Sequence, residues 1–420
     1  MPVLLNILHG LLGLTALLGI AWLLSEDRRA SPWRVVIGGV LLQIGLAILF
    51  IKFEPAAKIF LVLNSVVDAL QTSADAGTSL VFGYLGGAPL PFAENHPGAA
   101  YILAFRAFPL VLVISALASL LLYLGLLQRI VAIFAWCLQR TLGIGGALGL
   151  GAAVHIFVGM IEAPLLVRPY LLKMSRGELF ALMSCGMAGI AGTVMVIYAA
   201  LIGTSVPGAL GHILAASVIS TPAALAVAAL MIPFHAEPDG TAKLAVDNPP
   251  ASAMDAIARG TMDGIGFLAC IIAMMIVLVA LVTLVNLALG LLPHWGGSAI
   301  TLQRLFALLF QPLLWLIGIA REDLSAASTL MGTKTAINEF VAYIDLSHLP
   351  PEALSTRGRL IMTYALCGFA NFGSVGIMIG GMTAMAPERR QEIVTLAMRS
   401  LVSGTLATLM SGAVVGMLIA

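Results

Sequence analysis

The sequence predicts an all-α polytopic membrane protein with about eight transmembrane helices, two opposite-facing re-entrant hairpins and interfacial helices around an inverted-repeat core. Three observations lead to this class. First, 60% of the 420 residues are hydrophobic, 10% are charged and the mean hydropathy is +1.05, whereas a soluble domain carries about 25% charged residues. Second, two apolar segments each carry a glutamate partway along. Third, a short stretch that follows each of these segments recurs.

Eight apolar segments are long enough to cross a bilayer, which takes about 20 residues. They lie at 3–24, 35–52, 102–127, 177–204, 209–233, 264–292, 358–385 and 393–419. Arg28, Arg29 and Arg34 follow the first segment, which places that loop in the cytoplasm. Residues 53–98 are too polar to cross, and 55–72 is predicted to form an amphipathic surface helix. We therefore expect a multi-pass protein of the cytoplasmic (inner) membrane, surrounded by lipids.

Two further apolar segments do not fit as single spans. In residues 143–176, the helix expected from Pro164 to Lys173 is about 15 Å long, half of the hydrocarbon thickness of about 30 Å. This segment is predicted to be a re-entrant hairpin of two half-helices that meet at "VGMIEA". In residues 301–343, an apolar leg is predicted to reach a polar tip at "REDLS" and to return through Glu339.

The stretches that follow the two hairpins resemble each other. Residues 185–195 read "CGMAGIAGTVM" and residues 367–377 read "CGFANFGSVGI", with Cys, Gly and Ala at the same positions. Small and polar residues in the second copy predict an unwound span, and non-helical backbone at membrane depth is tolerated where it lines a cavity. Inverted repeats with broken helices that meet at the midplane are how many transporters build a binding site.

This pattern divides the chain into four parts. They are 1–142, the N-terminal spans and interfacial helices of a scaffold; 143–233, the first hairpin and following spans; 234–300, a cytoplasmic linker and a scaffold span; and 301–420, the second hairpin, the broken span and the last span. The second and fourth parts are the two predicted repeats.

Two glutamates and their polar neighbours are the strongest candidates for a binding site. Glu162 and Glu339 come from the two hairpins, and Asn338 stands beside the second glutamate. Asn371 and Ser374 are one helical turn apart and can share a face. Carboxylates accept hydroxyl hydrogens, and an Asn side chain both donates and accepts. The set therefore suits an uncharged, polyhydroxylated ligand such as a sugar ring.

Structural roles stay open for the same residues. Glu339 can pair with Lys334, and Glu162 with Arg168, in internal salt bridges. Lys334 is also four residues before Asn338 and can bond to it. His155 lies seven residues before Glu162. It is either a satisfied packing residue or a carrier of a proton or cation, because the ordinary pKa of histidine lies near physiological pH.

Several function classes are excluded or disfavoured. The net charge is +1, and no basic surface points to nucleic acid. The four cysteines lie in apolar runs without a CxxC, and no metal or nucleophile–base motif is present, so we expect no organic cofactor, no certain metal site and no enzyme. A channel or proton-conducting subunit of a membrane complex would need a continuous polar pathway, whereas the polar residues gather at two hairpins.

Several motifs resemble the concentrative nucleoside transporter family, the NupC-type carriers. "GTKTAINEFVAY" at 332–343 is similar to the family signature, and "EAPLLVRPYL" at 162–171, "DAIARGTMDG" at 255–264, "PLLWLIG" at 312–318 and "CGFANFGSVGI" resemble family segments in family order. The resemblance covers roughly residues 5–420. It implies cation-coupled symport of nucleosides, a homotrimer, and an elevator-like movement of the hairpin domain against a trimeric scaffold.

The resemblance also implies roles for single residues. Ribose recognition falls on Glu339, Asn371 and Ser374, all present here. The residues that it places around the base and the coupling site are Glu162, Val194 and Phe369. The residues that it places at a sodium site are His155 by its side chain and Val158, Gly189 and Ile190 by their backbone.

The chain departs from the family pattern at the base and at the coupling ion. Met160 and Ile161 stand where the family carries Gln and Thr, so the hydrogen bonds of those side chains to a base are lost. Base selectivity is then relaxed, or the ligand is another ribose-bearing or ring-hydroxylated molecule. His155 replaces an Asn at the sodium site, and an imidazole is a poor ligand for a hard cation. The coupling ion is H+ or Na+, and the replacement favours the proton.

Overall fold

The computed structural model describes residues 2–93, 100–160, 162–234, 249–294, 297 and 299–419, and these residues form helices and connections without a strand. The α-helices in these ranges, numbered in chain order, are α1 Pro2–Leu23, α2 Trp33–Lys52, α3 Glu54–Phe82, α4 Leu103–Arg106, α5 Leu110–Tyr123, α6 Leu126–Leu142, α7 Gly146–Val154, α8 Glu162–Leu166, α9 Arg168–Leu171, α10 Arg176–Ala188, α11 Gly192–Ile202, α12 Ala209–Met231, α13 Ala253–Leu289, α14 Leu302–Leu316, α15 Leu324–Ala336, α16 Glu339–His348, α17 Thr356–Leu366, α18 Phe372–Met385 and α19 Arg390–Leu418.

Six helical segments among the described residues are long and apolar enough to cross a membrane. They are Asn6–Leu23, Trp33–Lys52, Leu103–Tyr123, Ala209–Met231, Ala253–Leu289 and Pro387–Leu418. The other two expected spans, 177–204 and 358–385, are each divided into two helices, α10 with α11 and α17 with α18. The expected surface helix at 55–72 is longer than predicted, since α3 runs to Phe82.

The two divided spans cross at their breaks, residues 189–191 and 367–371. The backbone N–H of Phe369 in the second break donates to the carbonyl of Gly189 in the first at 3.2 Å. Gly368 permits this approach, because its φ is +158° and a Cβ there would lie 2.9 Å from the carbonyl oxygen of Ala188. Backbone groups away from water need hydrogen-bond partners, and this bond provides one for a backbone group of each break. The second break was predicted from the sequence, and the first was not.

A pair of short helices precedes each divided span. In the first pair, α7 ends at Val154 and α8 begins at Glu162; in the second, α15 ends at Ala336 and α16 begins at Glu339. The expected tip at "REDLS" is therefore wrong. Residues 317–323 connect α14 to α15, and Arg321 in this connection is exposed. The break that precedes Glu339 is residues 337–338.

Close packing at glycines joins α5 to α13, and α2 to α12. A Cβ on Gly260 of α13 would lie 2.5 Å from the carbonyl oxygen of Ser115 in α5. A Cβ on Gly39 of α2 would lie 2.6 Å from the carbonyl oxygen of Pro222 in α12. Because these helices touch through backbone, α5 and α13 form one packed unit, and α2 packs closely on α12.

Buried polar contacts join α2 to α12 and α19. Gln43 of α2 donates to the hydroxyl of Ser411 in α19 at 3.1 Å, and that hydroxyl lies 2.9 Å from the hydroxyl of Ser220 in α12. These three side chains are buried. Buried polar networks that are hydrogen-bonded favour one packing arrangement, so they hold α2, α12 and α19 in register.

An ion-pair cluster joins the loop after α1 to α10 and α19. Glu26 accepts from Arg176 at 3.0 Å and also from Arg399, and Arg176 lies 3.9 Å from Glu392. The hydrogen bond from Arg176 lowers the pKa of Glu26, because it stabilises the carboxylate form. Glu26 itself lies in the loop after α1, outside the membrane-crossing segments.

Candidate functional site

A cavity of about 180 Å³ lies where the two pairs of short helices and the two divided spans meet α5 and α13. Its polar lining comes from the helix breaks and from α11. These polar residues are Tyr198, Asn338, Glu339, Asn371 and Ser374. The remaining walls are almost entirely apolar, so a ligand here meets hydrogen-bonding groups at one end and hydrocarbon surface along its sides.

Glu339 is the centre of the polar end. It is the first residue of α16 and 4% exposed. The hydroxyl of Tyr198 donates to its Oε1 at 2.7 Å, and Nδ2 of Asn371 donates to its Oε2 at 2.8 Å. A carboxylate offers about four acceptor positions. The bonds from Tyr198 and Asn371 fill two of them, so the others are free for hydroxyl groups of a ligand.

Two asparagines cap the helices that begin at the site. Oδ1 of Asn338 accepts from the N–H of Val341 at 2.9 Å, and Oδ1 of Asn371 accepts from the N–H of Ser374 at 2.8 Å. Each asparagine is the N-cap of its helix. The cap fixes the orientation of the Asn371 amide, since its oxygen serves α18 and its nitrogen is then directed at Glu339.

The N-termini of α16 and α18 face the same cavity. A helix N-terminus carries a partial positive charge, which stabilises a nearby carboxylate. Glu339 lies in the first turn of α16, and Asn371 brings it against the start of α18. Half-helix N-termini that point at polar groups of a ligand are a recurrent arrangement in transporters.

Aromatic and aliphatic side chains form the other walls of the cavity. Tyr198 packs against Tyr343, with ring centroids 4.9 Å apart, and this places its hydroxyl beside Glu339. Val111 comes from α5, and Phe108 lies two residues before that helix begins. The wall from α13 consists of Phe267, Ile271, Met275 and Leu278.

Most residues of the predicted substrate site line this cavity. Met160, Val194 and Phe369 line it, as do Asn338, Glu339, Asn371 and Ser374. Ile161 lies outside the described residues, and so does the side chain of Glu162.

The predicted coupling-ion residues lie behind the cavity, where α7 ends against α10. His155 is 2% exposed, and its Nε2 has no hydrogen-bond partner among the described groups. Its ring packs on the last turn of α10, because a Cβ on Gly186 would lie 3.0 Å from His155 Cε1. Gly189, Ile190 and Val158 contribute no polar side chain here, and the carbonyl of Gly189 accepts from Phe369.

The hydrogen bonds of Lys334 differ from the pairing with Glu339 or Asn338 that the sequence left open. Its ammonium donates to the carbonyl of Ala365 at 2.8 Å and to the hydroxyl of Thr408 at 3.2 Å. The described ion pairs do not include Lys334 with Glu339, and Asn338 bonds instead to its own helix. The carboxylate of Glu339 is therefore held by neutral donors.

Sequence reasoning missed Tyr198 and the apolar wall from α5 and α13. Tyr198 lies four residues after Val194, so both can share one face of α11, and this spacing was the available signal. No comparable signal existed for α5 and α13, because their continuous apolar runs do not distinguish a cavity face from a lipid face.

Family profiles match most of the chain. The N-terminal profile of the Na+ dependent nucleoside transporters matches residues 12–85, a nucleoside recognition profile matches 104–205, and the C-terminal profile of the Na+ dependent nucleoside transporters matches 212–416.

Individual relatives are similar over nearly their whole length. The chain is 38% identical to an uncharacterized transporter of Haemophilus influenzae, over 99% of this chain and 98% of that protein. It is 33% identical to the putative nucleoside permease NupX of Escherichia coli, over 99% of both. The structure of CNTnw in an inward-facing, substrate-bound state is 35% identical and superimposes with a TM-score of 0.88 over 98% of both chains.

Proposed function

Because this chain belongs to the concentrative nucleoside transporter family, whose members are membrane carriers and not enzymes, we propose that it accumulates nucleosides across the cytoplasmic membrane by cation-coupled symport. The observation that carries the proposal is the buried carboxylate of Glu339, held by Tyr198 and Asn371 at the end of an otherwise apolar cavity. A buried carboxylate with unfilled acceptor positions is costly in such a place, and a ligand with hydroxyl groups supplies the missing donors.

The polar end of the cavity is proposed to bind the ribose. The 2′- and 3′-hydroxyls of ribose are donors, and the free acceptor positions of Glu339 suit them. Asn371 and Ser374 complete this end, and Asn338 holds the start of α16 in place. Hydrogen bonds to a charged acceptor are stronger than those between neutral groups, so most of the selectivity is expected to reside in the sugar.

The base is proposed to lie in the apolar part of the cavity. Met160, Val194 and Phe369 face the wall from α5 and α13 there, and these side chains provide surface without hydrogen bonds. Glu162 and Ile161 follow Met160 in the chain and are assigned to the same end by the resemblance. An apolar slot accepts different aromatic rings with similar affinity, since specificity comes from paired polar groups.

Purine and pyrimidine nucleosides are therefore expected to bind with affinities within about tenfold of each other, because the polar base contacts that would discriminate between them, each worth roughly 1–3 kcal/mol, are missing. The measurement is competition binding in detergent against a panel of nucleosides, free bases and free sugars. Free bases should compete weakly, and 2′- or 3′-deoxynucleosides less well than ribonucleosides. Strong competition by a sugar without a base would instead identify a carrier for another polyhydroxylated ligand.

The coupling cation is proposed to be a proton, with Glu162 and His155 as carriers. Support comes from the residue types at the coupling position. His155, Val158, Gly189 and Ile190 offer backbone carbonyls and one ring nitrogen, whereas a hard cation such as sodium is bound by several oxygens. Nε2 of His155 is a buried ring nitrogen without a hydrogen-bond partner among the described groups, so it is the side-chain atom at this position that a proton would occupy.

Transport is proposed to occur by an elevator-like movement of the repeats along α5 and α13. These two helices pack on each other and form one wall of the cavity, so a sliding surface runs through the binding site. The buried bonds of Gln43 and the ion pairs of Glu26 favour movement of α1 and α2 together with the repeats, although the sequence assigned them to the scaffold. The proposal keeps the homotrimer that the resemblance implies.

Distances between spin labels test this division. Val394 in α19, Met262 in α13 and Ile37 in α2 are all exposed, and labels are attached in a background without the native cysteines. The pair Val394 and Met262 should give two distances whose populations change with nucleoside. The pair Val394 and Ile37 should give one unchanged distance. Two distances for the second pair would place α2 with the scaffold.

A further inference from the structure

Lys334 is a buried lysine that the proposed mechanism does not use. It is 1% exposed. Its ammonium donates to the carbonyl of Ala365 and to the hydroxyl of Thr408, and the described ion pairs do not include it. Placing an ammonium in the interior of a membrane protein is costly, so the surroundings must stabilise a positive charge at this point.

The carboxylate of Glu339 interacts with this ammonium electrostatically, and the ends of two half-helices supply further stabilisation. Lys334 lies in the last turn of α15, and Ala365 lies in the last turn of α17. A helix C-terminus carries partial negative charge on carbonyls that lack a partner within the helix. In transporters, such half-helix ends are where coupling cations are coordinated. The ammonium of Lys334 thus occupies the kind of position that a free cation otherwise fills.

The first repeat has the corresponding place. There α7 ends at Val154 and α10 ends at Ala188, as α15 and α17 do in the second repeat. His155 is the residue directly after α7, its ring packs on Gly186, and its carbonyl oxygen would lie 3.2 Å from a Cβ on Gly189. The two repeats therefore carry His155 and Lys334 at matching junctions of two helix C-termini.

We propose that Lys334 is a tethered cation, which permanently holds in the second repeat the place that the coupling cation takes in the first. One mobile cation then suffices for each transport cycle, because the second junction is never empty. Lys334 is a positioning residue: through Ala365 and Thr408 it holds α17 and α19 beside α15, and so keeps Glu339 and Asn371 in register. The inference rests on the proposed function of the site.

Removal and replacement of the ammonium tests the proposal. Lys334→Ala should weaken nucleoside binding by more than about tenfold, the loss expected for one charge-assisted hydrogen bond, and added methylammonium should restore the binding. The matched control is Lys173→Ala, which removes an exposed lysine and should neither weaken binding nor respond to methylammonium. Wild-type affinity in Lys334→Ala, or a folded variant whose lost binding methylammonium does not restore, would overturn the proposal.

A measurement on the unaltered protein covers the case in which Lys334→Ala does not fold. The reversal potential of nucleoside flux in wild-type liposomes gives the number of charges moved with each nucleoside. One charge supports the tethered cation, and two charges contradict it. A wild type that moves no nucleoside contradicts the proposed function instead, so the two failures are distinguishable.

Discussion

Replacing Glu339 by Gln is expected to weaken nucleoside binding about ten- to a hundredfold. The change keeps the shape of the side chain but exchanges one acceptor oxygen for a donor NH₂ group. Asn371 cannot turn to compensate, because its oxygen caps α18 and its nitrogen already faces Glu339. The new amide must therefore direct its oxygen at Asn371 and its NH₂ at Tyr198. One of the two free acceptor positions for ribose hydroxyls is then lost, and the remaining acceptor carries no charge.

Equilibrium binding of a labelled nucleoside to purified protein measures this loss. The control is Glu352→Gln, which removes an exposed carboxylate outside the cavity and should leave the affinity unchanged. The assignment of ribose binding to Glu339 fails if a folded Glu339→Gln protein binds ribonucleosides as tightly as the wild type. It also fails if both variants lose affinity to the same extent, since the loss would then not be specific to the Glu339 carboxylate.

Gly368→Ala is expected to abolish accumulation and to lower the melting temperature. The added methyl group would lie 2.7 Å from Cγ2 of Thr408 and 2.9 Å from the carbonyl oxygen of Ala188, at a backbone φ of +158° that favours glycine. Overpacking of this kind costs roughly 1–3 kcal/mol, and here the strain falls on the crossing of the two breaks. We expect nucleoside binding to be lost as well, because Phe369 and Asn371 line the cavity and lie within three residues of Gly368.

Gly380→Ala is the matched control for this substitution. Gly380 lies in α18, and a Cβ there has no neighbour within 4 Å. It should leave binding and accumulation at the wild-type level and should not lower stability, because alanine favours a helix more than glycine does. Wild-type accumulation by Gly368→Ala would show that the breaks do not need their close approach.

The sequence predicted the features that depend on composition and local pattern. Long apolar runs predicted the membrane class, and the polar residues of "ANFGSVG" predicted the second break, where Asn371 caps the following helix. Glu339 and Asn371 were expected at one site because each is a polar residue in an apolar segment. The family was identified from the motif around Glu339, and the profiles and relatives confirm it.

Features that depend on packing between distant segments were not predicted. The first break lies in "GIA", residues 189–191, which reads as ordinary apolar helix and is opened by contact with Phe369. The polar run "REDLS" was taken for a tip at depth, although charged residues at a surface loop need no special partner. Tyr198 was missed because its partner Glu339 is 141 residues away in the chain.

Gradient-driven accumulation in liposomes tests the central claim most directly, namely that this chain is a proton-driven nucleoside carrier. Wild-type protein is reconstituted without sodium, an inward proton gradient is imposed, and the internal concentration of a labelled nucleoside is followed. A transmembrane potential contributes about 2.3 kcal/mol per charge per 100 mV, so one proton per cycle supports considerable accumulation of a neutral substrate. Glu162→Gln is the informative variant, since it should retain exchange of internal for external nucleoside and lose accumulation.

We expect wild-type protein to concentrate nucleoside above the external level in sodium-free medium, and collapse of the pH gradient to release it. Accumulation that requires sodium and ignores the pH gradient would contradict proton-driven transport.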